Sequence, residues 1–448
     1  HRFEGLVGYS YSDNVYENSG MWNANFPTDY FQWNNIGAGK YLTDGKASMS
    51  SYKESDKLIG WFGRVSYGYD NRYNVLASIR YEGSSKFGKN HKWGAFPSVS
   101  VGWNINNEKF MEQTRDWLNN LKIRVGYGIT GVIPGASYQS LVRYAFNGGN
   151  YYRDGEWSKG LKAVSNSNPD LKWEKARELN FGIDFSMFND RFGGSVDYYI
   201  KNTSDMLYDY AVPSPPNLYT STYANVGKMR NNGIEIMLKG TPVLTRDFEW
   251  NTTFTLQHNK NKLVSLSNDL YQTDNTMWLQ GIGDPVSQYT HKVQVGESMG
   301  QIWSLKAVGV NADNGLFLIE NPETGLAADF YQEMRNDYEH WYQYMGNGIP
   351  KVTIGWSNQL RYRGFDLAMQ FTGQFGFKII NNQRVFYENN AHAYNKLKSV
   401  TEAIGGIRPL SALQSQAVTS YYIENGDYFK LANITLGYTV PFKKNKYV

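Results

Sequence analysis

Cysteine is absent from the 448 residues, which excludes disulfides and thiolate metal sites. No apolar run reaches the roughly 18 residues of a membrane-crossing helix, so a helical membrane protein is not expected. Charge of one sign is also missing. Lys and Arg total 45 against 41 acidic residues, a net charge of +4, and no long basic run marks a nucleic-acid surface. The chain opens at His1 without the basic, apolar and small-residue regions of a signal peptide. Its six histidines make no H-x-x-x-H or H-E-x-x-H spacing, and no G-x-S-x-G occurs. Neither a metal centre, a bound cofactor nor catalysis is expected.

What the chain has is alternation. In 58–82, Ile59, Trp61, Val65, Tyr67 and Tyr69 fall on one face, and Arg64, Ser66 and Gly68 on the other. Asp70-Asn71 makes a tight turn. Tyr73, Val75, Ala77, Ile79 and Tyr81 then resume the apolar face, with Arg72, Asn74, Ser78 and Arg80 opposite. That is period 2 on both arms of a hairpin, with arms long enough to cross a bilayer at a tilt. The same pattern predicts twelve strands near 2–11, 58–69, 72–82, 98–105, 120–129, 178–188, 191–201, 232–240, 248–257, 351–362, 365–374 and 428–440. Long connections near 12–57, 83–97, 130–177, 202–231, 258–350 and 375–427 alternate with short ones. Residues 106–119 are the one longer inner connection, read as a short amphipathic helix.

Alternating short and long connections are the signature of an outer-membrane barrel, with short periplasmic turns and long outside loops. The fold class read from this is all-β, an antiparallel transmembrane β-barrel. Aromatics make up 16% of the chain, led by 35 tyrosines, and suit the two membrane interfaces. Ile59, Trp61, Val65, Val75, Ile79, Phe181 and Ile183 are expected to face lipid. Arg64, Arg80, Arg124 and Asp184, on the polar rows, are expected to face the lumen; a one-residue slip of register would reverse every side chain.

Several segments resemble one family, the SusC/RagA-like TonB-dependent transporters of Bacteroidetes outer membranes. They are Arg80-Tyr-Glu-Gly-Ser-Ser-Lys-Phe-Gly88, Trp93-Gly-Ala-Phe-Pro-Ser-Val-Ser100 with Trp103, Leu121-Lys-Ile-Arg-Val-Gly-Tyr-Gly-Ile-Thr-Gly131 and Trp173-Glu-Lys175. Asn180-Phe-Gly-Ile-Asp184, Gly194-Ser-Val-Asp-Tyr-Tyr199, Asn225-Val-Gly227, Asn232-Gly-Ile-Glu235, Gly348-Ile-Pro-Lys351 and Tyr428-Phe-Lys-Leu-Ala-Asn-Ile-Thr-Leu-Gly-Tyr438 follow in order. The resemblance implies a plugged barrel of roughly 22 strands in the bacterial outer membrane. It also implies an amino-terminal plug, a TonB-contacting box and a SusD-like surface lipoprotein acting as a lid. The expectation is therefore a partial barrel over 1–448, with plug, TonB box and about ten strands elsewhere. The first and last strands would then pair with strands outside this chain.

The implied function is energy-dependent import of a nutrient oligomer, a glycan in the leading reading and a peptide in the alternative. Exposed aromatics can stack on sugar rings while neighbouring amides and carboxylates bond hydroxyls. The candidate substrate residues are Tyr151, Tyr152 and Trp157, in the segment Asn147–Trp157, together with Trp22, Trp33 and Trp341. Packing among loops, or against a partner, is the competing reading of each ring. Trp278 and Trp303 fall in the same class. Asn311-Ala-Asp-Asn-Gly315 with Glu320 has a calcium loop's composition, but its Gly and Glu stand at the wrong positions, so a polar turn is expected. Two further classes stay open: a soluble all-β carbohydrate-binding module, and a barrel enzyme. Charge-free outward rows argue against the first, and the absence of a Ser/His or carboxylate cluster against the second.

Overall fold

A computed structural model describes residues 1–146, 150–268, 270, 272–283, 286–390, 395–412 and 417–440. Twelve antiparallel strands form one sheet in chain order. They are β1 (Arg2–Trp22), β2 (Ser48–Tyr69), β3 (Tyr73–Ser84), β4 (Trp93–Asn104), β5 (Leu118–Val132) and β6 (Glu174–Met187). β7 (Phe192–Ala211), β8 (Ser221–Leu244), β9 (Phe248–Ser265), β10 (Val352–Tyr362), β11 (Phe365–Phe375) and β12 (Tyr428–Tyr438) complete it. β1 and β12 are its edges.

The register puts the alternation on one continuous face. Tyr67, Val75, Val101, Val125, Phe181, Tyr198 and Ile234 stand side by side across seven strands. Trp61 and Val65 share that face, as do Ile79 and Ile183. Arg64, Arg80, Arg124 and Asp184 occupy the other. Asp70 and Asn71 both take positive φ, at 49° and 51°, the geometry that matches strand twist, and with Arg72, whose N donates to Tyr69 O at 2.9 Å, they link the paired Tyr69 and Tyr73.

Two aromatic rows bracket the apolar face. At one end Tyr9 meets Trp61 at 4.6 Å and Tyr81 stacks on Trp93 at 4.9 Å. At the other, Tyr73 stacks between Tyr69 at 6.4 Å and Trp103 at 6.5 Å. The stretch from Trp61 to Tyr69 amounts to about 27 Å of strand. At the usual tilt it covers roughly 20 Å, close to the ~25 Å apolar band of such walls. Just past Tyr11 and Ile59 the same face carries the ion pairs Asp13–Lys57, at 3.4 Å, and Glu17–Lys53. Charge here marks where the bilayer stops.

Strands therefore run well beyond the lengths read from alternation. β1 extends to Trp22 and β2 begins at Ser48, so much of 12–57 is ribbon rather than loop. Likewise β7 and β8 leave only 212–220 between them where a connection over 202–231 was expected. Above the membrane both faces of a ribbon are wet, so the apolar half of the alternation fades. The inner connection holds no amphipathic α-helix but two 3₁₀ segments, Ile105–Asn107 and Lys109–Thr114. Glu108 pins it: its carboxylate accepts from Tyr73 Oη at 2.7 Å, Trp103 Nε1 at 2.9 Å and Arg72 Nη1 at 3.1 Å.

The two longest connections fold together as a cap. A four-stranded sheet comprises Thr276–Ile282, Gln288–Gln294, Gln301–Leu305 and Tyr342–Asn347. A three-stranded one comprises Ala307–Val310, Phe317–Glu320 and Ala327–Asp329. Leu305, Phe317, Ile319 and Met334 from the first connection pack with Val385, Val418 and Tyr422 from the second. Gln288, buried among them, is satisfied: its amide donates to Tyr342 Oη at 2.6 Å and Arg335 O at 2.9 Å, and its carbonyl accepts from Val418 N at 2.8 Å. Burial raises the Tyr342 phenol and lowers the Arg335 guanidinium.

Candidate ligand-binding surfaces

On the face opposite the apolar rows, Arg124 clamps two carboxylates. Its Nε and Nη2 reach Asp184 at 2.6 and 2.9 Å, and Nη2 reaches Asp197 at 3.0 Å. Gly182 lies beneath them, and a Cβ there would stand 2.5 Å from Asp197 Oδ1 and 2.7 Å from Arg124 Cζ. A side chain there would have to push this clamp aside. Arg80 pairs with Glu82 and donates to Ser10 Oγ at 3.1 Å on the same side. At these two places the charges of the lumen face are paired within it.

At the outer end, the 133–173 connection is tied to the β7–β8 ribbon by asparagines. Asn166 donates to Tyr219 O and Ser221 O, each at 2.8 Å, and Asn168 donates to Tyr223 O at 2.9 Å. Asn225 accepts from Lys172 N at 2.8 Å and donates to Lys172 O at 2.7 Å. Tyr138 Oη accepts from Ser55 N at 3.0 Å, which ties the same connection to β2. Between these ties opens a polar cleft of about 520 Å³ with Arg143 and Asp209 among its lining residues. Ser165 Oγ at 3.3 Å from Nε positions the guanidinium, and Ser221 Oγ at 2.9 Å positions the carboxylate. Sequence reading missed this cleft, because its halves come from distant segments with no shared motif.

The six aromatic candidates do not converge. Tyr151, Tyr152 and Trp157 sit on a small hairpin, Asn150–Arg153 with Glu156–Lys159, and Tyr152 meets Trp157 at 5.4 Å. Trp157 is 72% exposed. Asn147, Gly148 and Gly149 of that segment lie outside the described residues. Trp22 contacts Tyr41 at the tip of the β1–β2 ribbon, and Trp33 is exposed in the link between those strands. Trp341 packs half-buried against the cap core and touches Tyr331 edge-on. Trp278 and Trp303 are cap residues too, with the Lys292 ammonium 4.4 Å from the Trp303 ring centre. Asn311 closes a polar turn: its carbonyl oxygens accept from Gly315 N and Asp313 N, and Glu320 pairs with Lys306 at 2.7 Å. Among the described residues no group of three or more His or acidic side chains could hold a metal ion.

A family model described as TonB dependent receptor-like, beta-barrel, matches residues 2–445. The chain belongs to that family. It is a β-barrel protein of the bacterial outer membrane, and its likeness is to the SusC/RagA type. TonB-dependent receptor P3 of Formosa agariphila is 27% identical over 98% of this chain and 44% of its own length. TonB-dependent receptor SusC of Bacteroides thetaiotaomicron is 28% identical over 87% of this chain and 38% of its own. The solved RagAB peptide importer in its open-open state superposes with a TM-score of 0.81 at 25% identity, covering 100% of this chain and 47% of that one. The chain spans less than half the length of these relatives. The family is one of receptors and transporters, not enzymes. The rows assigned to lipid from alternation alone are the rows on the apolar face of this barrel wall.

Proposed function

We propose that this chain supplies wall and outer vestibule to a TonB-dependent importer that moves a nutrient oligomer across the outer membrane. The observation that carries the proposal is the pairing of a one-sidedly apolar wall with a folded cap on its outer end, within a family match over residues 2–445. In the proposed assembly β1 and β12 pair with further strands, a plug fills the lumen and bears the TonB contact, and a SusD-like lipoprotein covers the cap and the 23–47 link.

The cargo we favour is a glycan. Trp157 and Tyr152 present ring faces to solvent, flanked by Arg153, Asp154 and Glu156, which suits sugar stacking with hydroxyl bonding. A peptide is the second reading, supported by the likeness to a structure described as a peptide importer. Calorimetry on the purified full-length transporter with its lid tests both, using oligosaccharides and oligopeptides of matched length. An oligosaccharide should bind, and Trp157→Ala should weaken it about tenfold, the loss of one stacked ring. Preferential peptide binding would overturn the glycan reading. Unchanged oligosaccharide affinity in Trp157→Ala would remove that ring from the site.

A further inference from the structure

Directly outward of the apolar rows on β6 to β9, the lipid-side face turns basic. The last apolar row there contains Tyr127, Leu179 and Ile200, and continues into Asn232 and Lys260. The next row is Ile129, Arg177, Asn202, Arg230 and Lys262. One step further, Lys175 faces Ser204 across the β6–β7 ladder, and Lys228 holds the same side of β8. Six basic side chains thus lie within three rows, where successive rows are about 7 Å apart and strands about 4.8 Å apart. None of the six forms an ion pair among the described residues. Of the acids nearest the patch among the described residues, Asp205 is engaged by Lys172 at 2.9 Å, and Glu297, whose backbone carbonyl accepts from Leu263 N, takes a bond from the Gln301 amide.

The acids of this region point the other way. Glu174, Glu178 and Glu235 line a cleft on the lumen face, together with Lys201. Charge is therefore sorted by face, basic toward lipid and largely acidic toward the lumen. Arg230 and Lys262 stand directly opposite each other in the β8–β9 ladder. Like charges in that position repel and destabilise the pair. Exposed Lys228, Arg230, Lys260 and Lys262 make a surface that an anion with several charges would relieve.

We infer that this patch is a docking surface for the phosphorylated headgroup of an outer-leaflet lipid. The height fixes the occupant: the patch begins where the apolar face ends, on the side of the long connections, which is where outer-leaflet headgroups lie. Guanidinium groups grip phosphate in forked pairs while ammonium groups add point charge. Each basic group near an anionic surface strengthens binding by about fivefold. The patch anchors the wall at a fixed depth beneath the cap.

The test uses the purified full-length transporter in detergent, titrated with lipid A and with lipid A stripped of its phosphates. The phosphorylated form should bind at least tenfold tighter, and the preference should fall with added salt. Arg230→Gln with Lys262→Gln should remove most of the preference, whereas Arg230→Lys with Lys262→Arg should retain it and show that the fold survives. Equal binding of both lipid forms would overturn the proposal, as would an unchanged preference in the Gln pair. Full competition by millimolar inorganic phosphate would reassign the patch to a free anion, and equal binding of soluble polyglutamate would reassign it to an acidic protein. Either outcome also overturns it.

Discussion

Val101 in the wall and Val418 in the cap are the same side chain under opposite rules. Val101 is 47% exposed and Val418 is 0% exposed in this chain. In the wall, backbone ladders hold the strands together and the apolar side chains look away from the protein toward lipid. In the cap, short strands and 3₁₀ turns have little pairing of their own, and the shared core of Leu305, Phe317, Ile319, Met334 and Val385 holds them. The wall is specified by register and the cap by packing. The two regions should therefore fail in different ways.

Removing a core ring should break the cap and spare the wall. Phe317→Ala should cost about 3–5 kcal/mol locally, the range for a fully buried aromatic. Limited proteolysis should then cut within 266–350 and 376–427, while the barrel keeps its resistance to unfolding in detergent. Cleavage of the wall at equal rates would mean that the two regions are one cooperative unit. The wall has the reverse weakness. Val125→Arg places a charge on the lipid face and should cost about 2–4 kcal/mol near the midplane. Ser100→Arg, on the opposite face of the neighbouring strand, should cost under about 1 kcal/mol. Heat-modifiability on gels, read for both variants, checks the difference.

This contrast also explains what the sequence made legible. Wall positions such as Val99, Val101 and Tyr127 announce themselves by period 2, because lipid rewards every second residue along an unbroken strand. The outer ribbons at 12–22 and 48–57 carry no such period, because water on both faces removes the reward for alternation, and their sequence resembles loop. The cap was invisible for a different reason. Val286, Phe317, Met334, Val385 and Tyr422 are spaced irregularly along the chain, and only the fold brings them together. The exposed aromatics of the candidate site were legible as types but not as a place. Trp341 serves the cap, while Trp157 stands on its own hairpin.

Between wall and cap the asparagine ties are of intermediate size. Asn225 is buried and bonds both backbone groups of Lys172, and it also donates to Asp205 O at 2.9 Å. Asn225→Ala would leave those groups without partners and should cost about 1–3 kcal/mol. Hydrogen exchange should rise in 133–173 and at the β7–β8 ribbon, with β2 to β4 unchanged. Exchange that rises evenly through the sheet would show that the connection braces the wall as well.

The smallest expected effect is on pH. Arg384 joins the short helix Asn382–Tyr387 to the cap's two-stranded ribbon through Glu424, Nη1 to Oε1 at 2.8 Å, while its Nε holds Glu388. The guanidinium also lies 4.6 Å from the Tyr421 ring centre. Its hydrogen bond lowers the Glu424 carboxyl below the usual range, and Asn381 adds a second at 3.1 Å. A depressed folded-state value means that the stabilisation is fully present above the unfolded pKa. It is lost as pH falls through the folded one. Glu424 is partly exposed, so the effect should stay within about 1 kcal/mol. Cap unfolding followed by tryptophan fluorescence should show the loss between neutral and acid pH in the unaltered protein, and Glu424→Gln should flatten that step. Glu424→Gln should leave the wall's heat-modifiability unchanged over the same range. A wall transition that this substitution also flattens would mean that the Arg384 link transmits to the barrel.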